Sequence, residues 1–469
     1  MKNIRIYDTL KSEIVDFIPI NGDEVKIYLC GPTVYNLIHV GNARPIIVFD
    51  AFRRFLEHLG YKVTLVQNFT DIDDKIINEA QKEEVSFETV AKRYIIEYWR
   101  DTLNLKVRAF SFHPKTTNYI DQIIQYIVEL ESKGYAYKAE NGDVYFDVSK
   151  FKNYGELSHR KTDELIFGAR IEVSKFKRNP LDFVLWKSSK AGEPSWESPW
   201  GEGRPGWHIE CSVMSSEILG ETFDIHAGGN DLIFPHHENE RAQAIAKSGK
   251  DFAKYWMHNG MIQMKKDKMS KSLGNVLYVR DLLKKFDSDV LKVFILSKHY
   301  RIPIDINEEL LNAQKISVDR IKKTLQSVED YFLGKVPYPK EDSFVKENEN
   351  YLIENLSNDF NTPNVIARIF ELSKELNKAL DTKNEKKIIE IYYTIRYIYG
   401  SILGIFETNE QIKDNNLEIN SLMEIILNVR TELRKKGFYE ISDYIRDKLN
   451  AINFEIKDTP EGTKYSIKN

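Results

Sequence analysis

Cysteine is scarce in this chain: Cys30 and Cys211 are the only two in 469 residues. Two thiols so far apart exclude a disulfide-stapled scaffold, and the charges scattered through MKNIRIYDTL do not read as a signal-type segment. The expected compartment is therefore reducing, the cytoplasm. No uncharged run approaches the ~18 residues that a bilayer-spanning helix needs, so no membrane partner is expected. An excess of one charge sign is also missing. Lys plus Arg number 67 against 71 Asp plus Glu, a net charge of −4. Such a balance excludes a global pull toward nucleic acid, so an RNA partner would have to meet local basic patches. The pattern G-x-x-x-x-G-K-[ST] does not occur, and the G-x-G-x-x-G match from Gly201 to Gly206 contains Pro205 and lies in an irregular stretch, not after a strand of a βαβ unit. Kinase and dehydrogenase readings lose their main support accordingly.

What remains is an ordinary globular composition, 42% hydrophobic and 29% charged. The length exceeds one compact core, so about two to four domains are expected. Val25–Cys30 reads as a buried strand ending at the breaker Gly31-Pro32. From about Arg44 to His58, Ile47, Val48, Ala51, Phe55 and Leu59 recur at helical spacing, and Gly60 closes the helix. Tyr61–Asn68 is a second strand. Strand, helix and strand in this order imply a βαβ unit in a parallel sheet, whose ligands bind beyond the carboxyl ends of the strands. Cys30, Gly31, the loop to Gly41, and Thr70-Asp71 all lie at such ends.

From about Phe112 to Trp200 the pattern turns irregular, as an insertion between two halves of a sheet domain would. Phe223–Asp231 resumes strand-then-glycine character, followed by a loop and helix through Ala246. Beyond Glu308 the spacing is helical almost throughout. Phe454–Ile456 and Thr463–Ile467 flank Asp458–Gly462, which predicts a terminal hairpin with a longer loop.

Three constellations could carry chemistry. His236 and Glu240 share one helical face, and with two cysteine thiolates they would complete a zinc set. Spacing leaves His237 and His208 as equal contenders. His39-Val-Gly-Asn42 feeds the first helix, whose free amides and dipole suit an anion; Gly41 permits close approach and His39 can donate to a phosphate oxygen. Lys268-Met-Ser-Lys-Ser272 offers two cations for charge developing on a transferring polyphosphate.

In Cys30–Tyr35, His39–Asn42, Asn68–Lys75, Asn179–Lys187, Gly203–Ser212, Phe234–Glu240 and Lys268–Ser272, in that order, the chain resembles the class I aminoacyl-tRNA synthetases. Within them it looks like the cysteinyl-tRNA synthetase family. The resemblance covers nearly the whole length. It implies an α/β fold: a Rossmann-like parallel-sheet catalytic domain with an insertion, then a mostly helical region ending in a small α+β module. Its domains would be 1–111 and 201–262 for the two catalytic halves, 112–200 for the insertion, and 263–307 for the lysine loop and stem-contact region. A helical bundle over 308–408 and an anticodon-binding module over 409–469 would follow.

The resemblance also implies one zinc ion on Cys30, Cys211, His236 and Glu240, choosing His236 over its neighbours. Gly31, Thr70, Trp207 and Asp231 would bind L-cysteine. His39, Gly41, Asn42, Lys268 and Lys271 would bind ATP with its Mg2+, and His39, Lys268 and Lys271 would serve catalysis. Asn42 departs from the family's HIGH signature, which has a second histidine there; an amide donates a hydrogen bond but carries no charge. The implied reaction forms cysteinyl-adenylate and transfers cysteine to the terminal ribose of tRNA(Cys), by a monomer. A related zinc-dependent ligase that passes cysteine to a small amino sugar would share these residues. About 160 residues follow the catalytic part, and the basic run with Arg434, Lys435, Lys436, Arg446 and Lys448 suits an RNA partner.

Overall fold

A computed structural model describes residues 3–160, 175–264, 267–268, 276–340 and 343–407, and parts of 423–467. The chain divides into two units, Met1–Phe406 and Glu407–Asn469.

The first unit is organised by four parallel strands, Glu24–Leu29, Lys62–Gln67, Phe223–Gly229 and Ala253–Asn259. Val25, Ile27, Leu29, Leu65 and Ile225 are all buried. A strand covered on both faces reads as a near-continuous apolar run, which is why these segments lack strict alternation. Across the sheet the order runs Ala253–Asn259, Phe223–Gly229, Glu24–Leu29, Lys62–Gln67. The chain therefore steps outward in opposite directions from the central pair. That central pair is a topological switch point, and a crevice for ligands opens above its carboxyl ends.

The helix Val40–His58 follows the first of these strands and Glu238–Ser248 the third. The first helix starts four residues earlier than apolar spacing indicates. His39 and Asn42 cap it reciprocally, so His39–Asn42 is cap and first turn, not the loop before it. Gly60, with φ +94°, provides the left-handed exit.

The irregular stretch after Phe112 is a small layered unit. Helix Ile120–Ser132 accompanies an antiparallel sheet of Ala136–Lys138, Val144–Phe146, Phe183–Ser188 and Gly203–Pro205. Strands as short as three residues hide their period in the sequence. Phe146, Phe183, Trp186 and Trp200 form its separate core. The sheet runs to Pro205, and Gly206 then lets helix Trp207–Leu219 begin against it; a Cβ there would stand 2.1 Å from the Val184 carbonyl oxygen.

Past the sheet domain come helices Glu308–Tyr331, Ser343–Ser357 and Thr362–Asp381. A helical run from Glu385 to Leu403 follows, with a π-helical stretch over Thr394–Tyr399. These helices share one core with the sheet: Phe360 packs edge-on against Phe52 at 5.1 Å. The Lys292 ammonium ties the end of the run by donating to the carbonyls of Lys106 and Gly404, at 2.7 and 2.6 Å.

In the second unit, helix Tyr439–Ala451 precedes a hairpin of Phe454–Thr459 and Gly462–Ile467 over a core of Met423, Leu427, Leu449 and Ile456. Pairing continues to Thr459 opposite Gly462, so the longer loop expected over Asp458–Gly462 is not formed. The backbone ladder closes the turn more tightly than the Pro and Gly signals indicate. Among the described residues no helix is long and apolar enough to cross a membrane.

Candidate active site

The carboxyl end of Glu24–Leu29 delivers Cys30 into the crevice, and the first turns of Trp207–Leu219 deliver Cys211. His236 and Glu240 arrive from the turn and helix after the third strand. The two sulfurs stand 3.8 Å apart, and Cys30 Sγ lies 3.6 Å from Glu240 Oε1. His236 Nε2 lies 2.9 Å from that same oxygen. One donor atom from each of the four residues falls within 4.8 Å of all the others, and all four are buried. Polar atoms so far from water need partners, and two thiols, an imidazole and a carboxylate match the donor preferences of zinc.

The charge balance agrees. Burial, reinforced by Cys211 and Glu240, pushes the Cys30 thiol well above its ordinary range. Burial also works against an ionised Glu240, yet His236 and His226 carry its carboxyl down to about 2. Burial likewise disfavours a charged His236, but Glu240 and Cys211 take it up to about 10. The cluster thus draws in positive charge, which a divalent cation supplies better than protons.

A second group overlaps the first: Cys30, His226, His237 and Glu240 also bring donor atoms within 4.8 Å. Its two histidines have other engagements. His226 Nε2 meets Glu240 Oε2 at 2.8 Å, and the ring stacks on Trp256 at 4.7 Å. His237 reaches Cys30 Sγ at 3.2 Å and His258 at 2.8 Å, and His258 meets the Thr9 hydroxyl at 2.7 Å. Burial takes His258 down to about 3, so it works as a neutral hydrogen-bonding ring. His208 faces His236, Nδ1 to Nδ1 at 2.9 Å, which leaves Nε2 of His236 turned to Glu240.

A cavity of about 360 Å³ reaches Cys30, Cys211 and His236 at one end and His39, Gly41 and Asn42 at the other. Gly31, Thr70, Trp207 and Asp231 line it between these ends. Gly31 has no alternative: a Cβ would lie 1.7 Å from the Asn68 carbonyl oxygen, while its N–H donates to Asn68 Oδ1 at 2.8 Å. Thr70 donates to the buried Glu210 carboxylate at 2.8 Å, which Thr116 also meets at 2.7 Å. The Trp207 ring stacks on His236 at 4.3 Å. Asp231 Oδ1 takes the place beside Gly229 where a larger side chain would collide, 2.7 Å from the would-be Cβ.

At the other end, His39 Nδ1 accepts from the Asn42 backbone N–H and Asn42 Oδ1 accepts from that of His39, each at 3.2 Å. An accepting Nδ1 places the imidazole proton on Nε2. The departure at Asn42 thereby gains a physical role, capping the helix that starts at the cavity wall. The backbone of His39 also pairs with Tyr278: Val40 N–H donates to the Leu277 carbonyl, and Val279 N–H to that of Ile38. The segment leaving the lysine loop is thus laced to the helix start. Lys268 ends the short strand Asp267–Lys268, and Lys271 lies outside the described residues.

Sequence reasoning missed His226, His258 and Glu210. A signal existed for the two histidines: both lie on neighbouring strands of the parallel sheet, among five histidines that converge here out of ten in the chain. Glu210 carries no such signal, because a glutamate before a cysteine on a helix looks like any surface residue.

Comparison with known proteins gives consistent answers. The family described as "tRNA synthetases class I (C) catalytic domain" matches residues 16–316, and the DALR domain matches 352–407. The Cysteine--tRNA ligase of Petrotoga mobilis is 73% identical over 463 residues, covering 99% of each chain. That of Thermotoga maritima is 52% identical over 464 residues, covering 99% of this chain and all of its own. Among solved structures, the Mycobacterium tuberculosis methionyl-tRNA synthetase with methionyl-adenylate aligns with a TM-score of 0.58 at 15% identity, over 81% of this chain and 89% of its own. The Agrobacterium radiobacter LeuRS of a ternary complex with tRNA aligns at 0.59 and 11%, over 83% and 85%. These two likenesses speak for the fold alone. On its sequence over the full length, the chain belongs to the class I tRNA synthetases and, within them, to the cysteine--tRNA ligase family.

Proposed function

We propose that the chain activates L-cysteine with ATP and transfers it to tRNA(Cys), recognising the substrate thiol through a zinc ion. The observation that carries this reading is one cavity with a buried two-thiol, imidazole and carboxylate cluster at one end and a helix N-terminus at the other. Cys30, Cys211, His236 and Glu240 would hold the zinc. The cavity reaches three of these four, whereas His226 and His237 brace the cluster from behind. Zinc, when bound, supplies a borderline-soft Lewis acid that prefers a thiolate to an alcohol.

Packing alone separates close analogues such as cysteine and serine by only ~1–3 kcal/mol, so the chemistry of the donor set has to make the distinction. Gly31, Thr70, Trp207 and Asp231 surround the amino acid. Its carboxylate attacks the α-phosphate of ATP and pyrophosphate leaves. His39 Nε2–H, the positive end of the helix dipole, Lys268 and Lys271 stabilise the charge that builds on the phosphates. Magnesium accompanies ATP through phosphate oxygens and water. The terminal ribose hydroxyl of tRNA then attacks the adenylate carbonyl. Residues 263–307 would meet the tRNA stem and 409–469 the anticodon, joined by the helical bundle of 308–408, with the enzyme acting as a monomer in the cytoplasm.

Aminoacylation with purified tRNA(Cys), run beside a small amino-sugar acceptor, tests the reading. Cysteine charged to tRNA supports it. Transfer only to the sugar overturns it in favour of the amino-sugar ligase.

A further inference from the structure

Arg44 lies five residues after His39 on the first helix and is fully buried. Its hydrogen-bond partners are main-chain carbonyls. Nη1 donates to Met261 at 3.0 Å, and Nη2 to His299, Tyr300 and Ile302 at 3.3, 2.8 and 2.6 Å. A guanidinium forced out of water without a carboxylate is costly, so several carbonyl dipoles have to converge on it. The segments it gathers matter. Gly260, Met261 and Ile262 line the same cavity as His39, Gly41 and Asn42, and strand Ile262–Met264 leads toward Lys268. The 299–302 segment lies hard against them. Gly260 N–H donates to the Tyr300 carbonyl at 2.8 Å, and a Cβ on Gly260 would stand 2.5 Å from the Ile302 carbonyl carbon.

The same segment is gripped from its other side by Asp359, at the sharp corner between helices Ser343–Ser357 and Thr362–Asp381. Asp359 Oδ1 accepts from the Tyr300 hydroxyl at 2.8 Å and from Tyr7 N–H at 2.9 Å. Its Oδ2 accepts from Arg301 Nε and Nη2 at 2.8 and 2.5 Å. Asp359 and Phe360 hold φ of +54° and +49°, a left-handed backbone that non-glycine residues keep only where surroundings impose it.

We propose that Arg44 is a positioning residue for the nucleotide half of the site, setting the distance between the helix N-terminus and the path to the lysine loop, and that Asp359 extends this brace to the helical region. The inference rests on the reading that ATP occupies the His39 end. Displacements of about 1 Å at such a site cost up to a hundredfold in rate.

The test is cysteine-dependent ATP–pyrophosphate exchange by the full-length chain, varying ATP and cysteine separately. Arg44→Met should raise KM for ATP about tenfold and lower kcat, with KM for cysteine and zinc content within about twofold of wild type. Arg44→Lys, which can still reach one or two carbonyls, should recover part of the loss. Asp359→Asn should raise KM for ATP about threefold. A folded Arg44→Met with KM for ATP unchanged, or with both KM values raised alike, overturns the proposal. Should Arg44→Met not fold, an unchanged KM for ATP in both Arg44→Lys and Asp359→Asn overturns it. His39→Ala serves as the reference: if it leaves ATP kinetics untouched, the underlying ATP reading fails instead.

Discussion

The two ends of the cavity are built by different means. The thiol end is an array of buried side chains holding one another: Cys30, Cys211, His236 and Glu240, backed by His226, His237, His258 and Thr9. The end at His39, where the proposed reading puts ATP, is mostly backbone: the first turn of Val40–His58 and its ladder to Leu277–Val279. Side-chain chemistry suits recognition of one functional group, because each donor atom is irreplaceable. A backbone framework tolerates exchange of the side chains around it. That tolerance accounts for Asn42, which keeps the cap although it is not a histidine.

The contrast predicts unequal sensitivity. Cys211→Ser should lose zinc and lower cysteine-dependent exchange by more than about a hundredfold, measured as metal content and exchange rate together. His226→Phe removes a partner of Glu240 without removing a metal ligand. It should weaken zinc affinity about ten- to hundredfold in a chelator competition, leaving KM for ATP unchanged. Asn42→Ala should cost about 1 kcal/mol in thermal unfolding through the lost cap, while Asn42→His should keep exchange within a few-fold of wild type. Equal losses from Cys211→Ser and Asn42→Ala would erase the distinction between the two ends.

The smallest effect on exchange lies outside both ends and serves as a control. His113 stacks between Phe69 and Phe110, and burial takes it from 6.5 to about 4. The folded form therefore binds its proton less readily than the unfolded chain, so stability is present above pH 6.5 and falls as pH drops toward 4. His113→Phe should remove about 1–2 kcal/mol of the loss seen between pH 7 and 5 in denaturant titrations, with exchange unaffected.

The nucleotide end was the more legible in sequence. A strand ending in Gly31-Pro32, a helix with periodic apolar residues and Gly60 at its exit place His39–Asn42 just before the helix through local rules, although that helix starts four residues earlier, at Val40. The thiol end was legible only in part. Cys30 and Cys211 are separated by most of the catalytic domain, and no local pattern says that strands Glu24–Leu29 and Phe223–Gly229 are neighbours. Spacing could not choose among His208, His236 and His237. Their different tasks arise from partners that tertiary structure supplies: His236 for His208, His258 for His237. The insertion was opaque because strands of three residues carry too few positions to show a period. Arg44 was hidden for another reason, since an arginine in a helix gives no hint that its charge is spent on carbonyls more than 200 residues away.

The most direct test replaces zinc by cobalt(II) and follows its visible absorption while L-cysteine or L-serine is added. Sulfur-to-metal charge-transfer absorption that grows and saturates with cysteine, but not with serine, is the predicted result. A spectrum that cysteine leaves unchanged, in protein that still charges tRNA, would contradict recognition of the thiol by the metal.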